Sequence, residues 1–229
     1  MQKHSSPDDA LPAPAPAPAP APARSRGRPR AFDRSAALLK ATHLFWAKGY
    51  EATSISDLTD AMGIGSPSLY SAFGSKEALY AEALAYYAST YEELVWARFF
   101  AADTAREAVE AFLRDSARVL TGGSCDIPRG CMVTLSSVGS EGHAQLGELV
   151  QCARAEALVR LKARLARAVE AGELDASVDV QALARFVQIV QYGMSILARD
   201  GVAAADLEAT VDVAMAGFDA RVRAGASKG

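Results

Sequence analysis

Little in this chain points to chemistry at a metal, a phosphate loop or a nucleophile. Three cysteines among 229 residues, an odd number, argue against a disulfide framework, and Cys125 and Cys131 are not at a zinc-ligand spacing. No Gly-rich phosphate loop, nucleophile elbow or HExxH pair occurs. His43 and His143 stand far apart, neither in a metal-ligand spacing, so the chain is read as no enzyme and as needing no cofactor or metal. There is no run of 18 apolar residues to span a membrane, and the N-terminus lacks the apolar stretch of a secretory signal. A reducing cytoplasm is the simplest compartment. After Ala31 there is also no convincing alternation of period two, which leaves helix as the only regular structure to expect.

The charge that is present is unevenly placed. From Arg24 to Lys76 there are eight Lys/Arg against four Asp/Glu, whereas the residues after Lys76 carry 15 against 21. A basic head on an acidic body suggests that only the head meets a polyanion. Ahead of it, Pro12 to Ala23 alternate Pro and Ala, a composition that buries nothing and favours an extended tether. Disorder is expected up to about Arg24. Arg24 to Arg30 then place four arginines in seven residues. Their Arg-Gly-Arg-Pro centre resembles the AT-hook type of minor-groove peptide, with Arg26 and Arg28 as candidate contacts, although non-specific phosphate attraction fits the same residues.

Apolar spacing and punctuation predict a first helix over Asp33–Lys48, ended by Gly49, and then two short helices within Thr53–Lys76. Leu58, Met62, Ile64, Leu69 and Phe73 are the apolar positions of that segment. Ser54 with Asp57 fits a capping box, and Gly63 suits a helix end. Ser66 is expected to cap the second short helix, with Pro67 at its first position. That helix, Ser66 to Ala72, is rich in small and hydroxyl side chains and carries Tyr70. It buries little by itself, and is of a size to enter a DNA major groove about 12 Å wide. A long helix from Lys76 to about Phe100 should follow, capped by Ser75, then Thr104–Leu120, a loop over 121–130, Cys131–Val138, His143–Ala171, Val180–Arg199 and Ala203–Arg223.

The last two helices are informative. Leu183, Val187, Val190, Met194 and Leu197 form one seam, and Phe186, Ile189, Gly193 and Ile196 a second stripe roughly 100° away. A helix apolar on two sides needs two partners. The final helix repeats the theme with Leu207, Val211, Met215, Phe218 and Val222. Burial inside one subunit explains the pattern too; a four-helix interface with a symmetry mate explains it better, because helix–turn–helix domains bind paired half-sites. Leu183, Val187, Val190, Met194, Leu207, Val211, Met215 and Phe218 are therefore the expected dimer seam.

Gly49, Thr53, Leu58, Gly63, Ile64, Ser68-Leu69-Tyr70, Phe73, Ser75-Lys76-Glu77 and Leu79 together resemble the DNA-binding domain of the tetracycline-repressor (TetR) family, over about residues 32–80. Thr59 departs from the family's usual Ala, and the Pro-Ala leader is unusually long. Beyond residue 80 the likeness is architectural. The resemblance implies an all-α fold: a leader and arm over residues 1–30, an N-terminal three-helix helix-turn-helix DNA-binding domain over 31–77, and a C-terminal helical ligand-binding and dimerisation domain over 78–229. It implies a homodimeric transcription factor, usually a repressor, with double-stranded operator DNA, a second copy of itself and a small-molecule effector as partners. Carried over by position, Ser66, Pro67, Ser68, Tyr70 and Ser71 fall where the family's recognition helix meets bases and phosphates, and Thr53 and Lys76 where it grips backbone. For the effector pocket, Trp96, Phe99, Phe100, Phe112, Met132, Phe186, Tyr192 and Met194 are candidates by location. Activation rather than repression is left open. So is a thiol-based redox or electrophile switch at Cys131, which begins a helix beside Arg129, with Cys125 six residues away.

Overall fold

Most helices in this protein begin at a side chain that satisfies their first free amides. The structure, a computed structural model, describes residues 32–123 and 127–226, with ten helices and no strand among them. Asp33 accepts from the Ala36 amide to open α1, Arg34–Lys48. Ser54 and Asp57 form a reciprocal capping box on α2, Ile55–Met62, as Thr104 and Glu107 do on α6, Ala105–Leu120. Ser75 caps α4, Lys76–Tyr91, and Asp179 caps α9, Val180–Arg199. The others are α3, Ser66–Phe73; α5, Glu93–Ala101; α7, Met132–Leu135; α8, Ala144–Glu170; and α10, Ala204–Ala226. Gly63 closes α2 with φ of 72°, in the left-handed region where a Cβ is unfavourable.

The span predicted as one helix from Lys76 to Phe100 is two. It breaks at Glu92, between α4 and α5, without the Gly or Pro that would have announced the break. The cap expected at Ser66 is Gly65 instead, with no side-chain hydrogen bond, and Pro67 lies at the second helical position. The short helix expected over Cys131–Val138 is confined to a single turn, α7.

The described residues from Asp33 onward form one compact unit with two apolar cores. In the first, Phe45, Leu58, Leu69, Phe73, Leu79 and Tyr80 bring α1 to α4 together, and Met132, Val138, Leu146 and Val150 from α7, α8 and the segment between them complete it. The Phe45 and Tyr80 rings meet edge to face with centroids 5.0 Å apart. In the second, Phe99, Phe112, Leu113, Leu161, Leu165 and Phe218 join α5, α6, α8 and α10. Shortening such a fully buried Phe to Ala costs about 3–5 kcal/mol, so both cores are needed. Where the segment after α7 crosses α8, Gly139 and Gly147 touch through their backbones, and a Cβ on Gly147 would sit 2.6 Å from the Gly139 Cα. No larger residue fits at either position.

Leu183, Val187, Met194, Leu207, Val211, Met215 and Phe218 are buried in this second core, and Val190 is packed against it. The expected dimer seam is thus the inward face of α9 and α10, occupied by α6 and α8 of the same chain. It is the other stripe that faces out: Phe186, Ile189 and Ile196 on α9, together with Leu197, and Val213 on α10. Two equally apolar stripes on one helix give no indication of which turns inward.

Candidate nucleic-acid interface

The outer side of α3 follows from how few of its residues are needed inside. Leu69 and Phe73, one turn apart, are its buried positions, and Ser66, Pro67, Ser68, Tyr70 and Ser71 are all exposed. Tyr70 is 47 % exposed, so about half of its side chain is open to a partner. No side chain caps α3, Pro67 has no N–H, and the Ser68 amide donates to the Gly65 carbonyl at 3.0 Å, so the start of α3 offers outward the hydroxyls of its exposed serines, Ser66, Ser68 and Ser71. That is a row of donors of the type that phosphate and base-edge oxygens accept.

Lys76 stands next to this face at the start of α4, its Nζ 4.2 Å from the centroid of the Tyr50 ring. Tyr50 is fixed in turn: its hydroxyl donates to Glu77 Oε1 at 2.8 Å, and His143 stacks edge-on against it with centroids 4.6 Å apart. Burial, then the Glu77 hydrogen bond, push the Tyr50 hydroxyl well above its ordinary range, so the ring stays neutral and can host a cation. Glu77 is shifted down, chiefly by the backbone amide at its own helix start and next by Tyr50. The ammonium is thereby aimed without being neutralised by a carboxylate.

Thr53, expected to grip phosphate, does not lie on this surface. It is fully buried, and its hydroxyl donates to the Gly49 carbonyl at 2.6 Å. A threonine four residues after a helix-ending glycine finds a local acceptor more readily than a distant one. Arg26 and Arg28 lie outside the described residues, as does Cys125. At α2, Lys48 and Ser54 hold the Asp57 carboxylate far below its usual range. A depressed carboxylate contributes its stabilisation above the ordinary pKa near 4 and loses it as pH falls towards the folded value. The Asp57 cap should therefore contribute the same stabilisation to α2 from pH 5 to 8, and amide exchange in α2 should rise as that contribution is lost in acid.

A cavity of about 80 Å³ lies between α4, α5, α6, α8 and α9. Of the predicted pocket residues, Trp96, Phe112 and Tyr192 line it. Phe99 and Met194 are plain core, Phe100 and Phe186 are exposed, and Met132 belongs to the first core. The prediction by location missed Tyr87, Tyr91, Arg154 and Gln191, which also form its wall; Tyr87 and Tyr91, one turn apart on α4, were the available signal. Cys131 is in the wall too, its Sγ accepting from the Tyr87 hydroxyl at 3.3 Å and the Thr134 amide at 3.4 Å. Burial holds the Tyr87 hydroxyl well above its ordinary pKa, with Cys131 adding to the shift.

The residue pair before Cys131 is tied to α1. Trp46 Nε1 donates to the Gly130 carbonyl at 2.8 Å, and the Cys131 amide donates to Ser195 Oγ at 2.8 Å. Arg199 donates to the carbonyls of Arg129, Ala47 and Trp46 at 2.8, 3.0 and 2.7 Å. Guanidinium charge at the end of α1 is well placed against its dipole. The wall of the cavity and the end of α1 thus share one short strap.

The chain belongs to the TetR family of bacterial regulatory proteins, whose family model matches residues 37–83. It is 36 % identical over 189 residues to the HTH-type transcriptional repressor ComR of Escherichia coli K12, covering 81 % of this chain and 87 % of that one. It is 39 % identical to a cysteine-substituted form of the TetR family transcriptional regulator CifR, solved in complex with a 26 bp double-strand operator DNA. There the TM-score is 0.77 and the match covers 82 % of this chain and 98 % of CifR. A TetR transcriptional regulator from Chloroflexus aurantiacus, at 24 % identity and a TM-score of 0.73 over 82 % of this chain and 95 % of its own, shares the fold. This chain is accordingly a transcriptional regulator and not an enzyme.

Proposed function

We propose that this protein is a homodimeric repressor that seats α3 of each subunit in successive major grooves of a two-fold operator and is released by a small molecule entering the α4–α9 cavity. The observation that carries the reading is the outward row Ser66, Pro67, Ser68, Tyr70 and Ser71, on a helix anchored by only two buried residues, with Lys76 beside it. The operator complex of CifR and the repressor role of ComR support it. Selection of bound duplexes from a random library tests it: two copies of one half-site, about 10 bp or a multiple of it apart, are expected. Sequences without two-fold symmetry would count against it.

Lys76→Ala should weaken every duplex alike and reduce the log–log salt slope by about one, because a phosphate contact carries no sequence information. Filter binding across a salt series reads both quantities. Ser68→Ala should instead change the preferred base at one position of each half-site.

Release through the cavity requires growth of the space, since about 80 Å³ is well below the roughly 300 Å³ or more of a small-molecule site. A second reading, a thiol switch, draws on the position of Cys131 Sγ in that wall beside the Tyr87 hydroxyl. Peroxide or N-ethylmaleimide should then lower duplex affinity in the native chain and leave Cys131→Ser unaffected; equal sensitivity of the two removes this reading.

A further inference from the structure

A recognition helix discriminates sequences only if it stands at one angle, and α3 has few anchors. It is eight residues long, with Leu69 and Phe73 as its buried positions. Its last turn, however, is held from outside. Arg34, the first residue of α1, donates from Nε to the Ala72 carbonyl at 3.3 Å. Its Cζ lies 4.5 Å from the centroid of the Phe73 ring. Its Nη2 donates to both carboxylate oxygens of Glu82 on α4 at 2.8 Å.

One guanidinium therefore touches the end of α3 and the middle of α4 while belonging to α1. Ala72 carries one of the last carbonyls of α3, which have no partner within the helix, and positive charge there complements the negative end of the dipole. The planar fork can lie over a ring and bond two acceptors in its own plane at once; a lysine ammonium has no such geometry. The side chains of Arg34 and Glu82 are 48 % and 38 % exposed, so screening by water leaves the pair little weight in overall stability. What remains is orientation.

We propose that Arg34 is a positioning residue: it sets the angle of α3 through Ala72 and Phe73, is itself aimed by Glu82, and governs sequence discrimination through that angle. This rests on the reading of α3 as the DNA-reading helix. The competing role for an arginine at the start of α1 is a direct phosphate contact, and the two make opposite predictions about Glu82. If Arg34 grips phosphate, removing Glu82 frees a cation and tightens binding. If Arg34 positions α3, removing Glu82 loosens the helix.

The test uses full-length native protein, Arg34→Met, Glu82→Gln and the double variant. Two duplexes serve as probes, one selected by the native protein from a random library and one of the same composition with its bases shuffled. The ratio of the two affinities should fall about tenfold in Arg34→Met and at least about threefold in Glu82→Gln, with the salt slope unchanged. The double variant should discriminate no worse than Arg34→Met, since the two residues act as a unit. Hydrogen exchange without DNA should show the amides from Leu69 to Gly74 about tenfold faster in both single variants, with α1 and α6 unaffected. Three results overturn the proposal: unchanged exchange in α3, equal weakening of both duplexes with a salt slope lower by about one, or tighter and equally selective binding by Glu82→Gln. If the native protein retained no duplex at all, the DNA reading itself would fail, an outcome visible before any variant is made.

Discussion

Ile189→Glu combined with Val213→Glu should yield a single subunit in sedimentation equilibrium that keeps its helix content but binds the selected duplex at least about 100-fold more weakly. Ile189 and Val213 are 61 % and 73 % exposed, so neither substitution removes core packing, and surface changes of this kind cost within about 0.5 kcal/mol of stability. Yet with Phe186, Ile196 and Leu197 of α9 they make up an outward set of exposed apolar side chains on α9 and α10, an apolar stripe. A second copy related by a two-fold axis would bury that stripe against its own equivalent. Carboxylates placed there would face each other across the interface, unpaired and desolvated, at a cost of several kcal/mol. The DNA effect follows from linkage of two half-sites: a lone subunit forfeits the effective concentration that its twin supplies, worth two to four orders of magnitude. Leu183→Glu makes the contrasting control. It lies in the second core and should unfold the chain.

The second large effect is expected at Gly130. Its φ is +79°, and a Cβ there would lie 2.9 Å from the Ser195 carbonyl oxygen and run into Leu135 Cδ1. The leucine tip can turn aside; a helix carbonyl cannot. Left-handed strain of about 1–2 kcal/mol and overpacking of about 1–3 kcal/mol together predict that Gly130→Ala loses roughly 2–5 kcal/mol in urea unfolding. Any movement that relieves the clash also displaces the carbonyl that accepts from Trp46 and the strap that Arg199 holds. Gly130→Ala should therefore uncouple DNA affinity from the state of the cavity even where it folds. Trp46→Phe replaces the buried indole by a smaller ring, so it removes the donor to the Gly130 carbonyl, for about 1–3 kcal/mol of stability, and adds the cost of the cavity it leaves.

How much of this could be read from the sequence depended on whether the decisive signal was local. The caps read at Ser54 and Ser75, and the stop at Gly63, depend on residues a few positions away, so helix positions there emerged nearly as expected. The outward row of α3 was legible because Leu69 and Phe73 alone fit one side of so short a helix. The break at Glu92 was not, since no Gly or Pro marks it and α5 packs on α6, further along the chain. Choosing between the two stripes of α9 needed the position of α6 and α8, which periodicity does not contain. The Thr53 hydroxyl was misassigned because a nearby backbone acceptor, the Gly49 carbonyl, took it. The cavity was legible only in part, because long-range packing decides whether an aromatic lines a space or fills it: Phe99 and Phe112 are both aromatic and buried, yet only the latter borders the cavity.

The proposed mode of binding requires two α3 helices held at a fixed separation on duplex DNA. The most direct trial measures stoichiometry and affinity on the selected duplex and on the same duplex with one half shuffled. Two subunits on the intact duplex, and an affinity lower by at least about 100-fold on the half-shuffled one, are expected. One subunit bound equally well to both would contradict it.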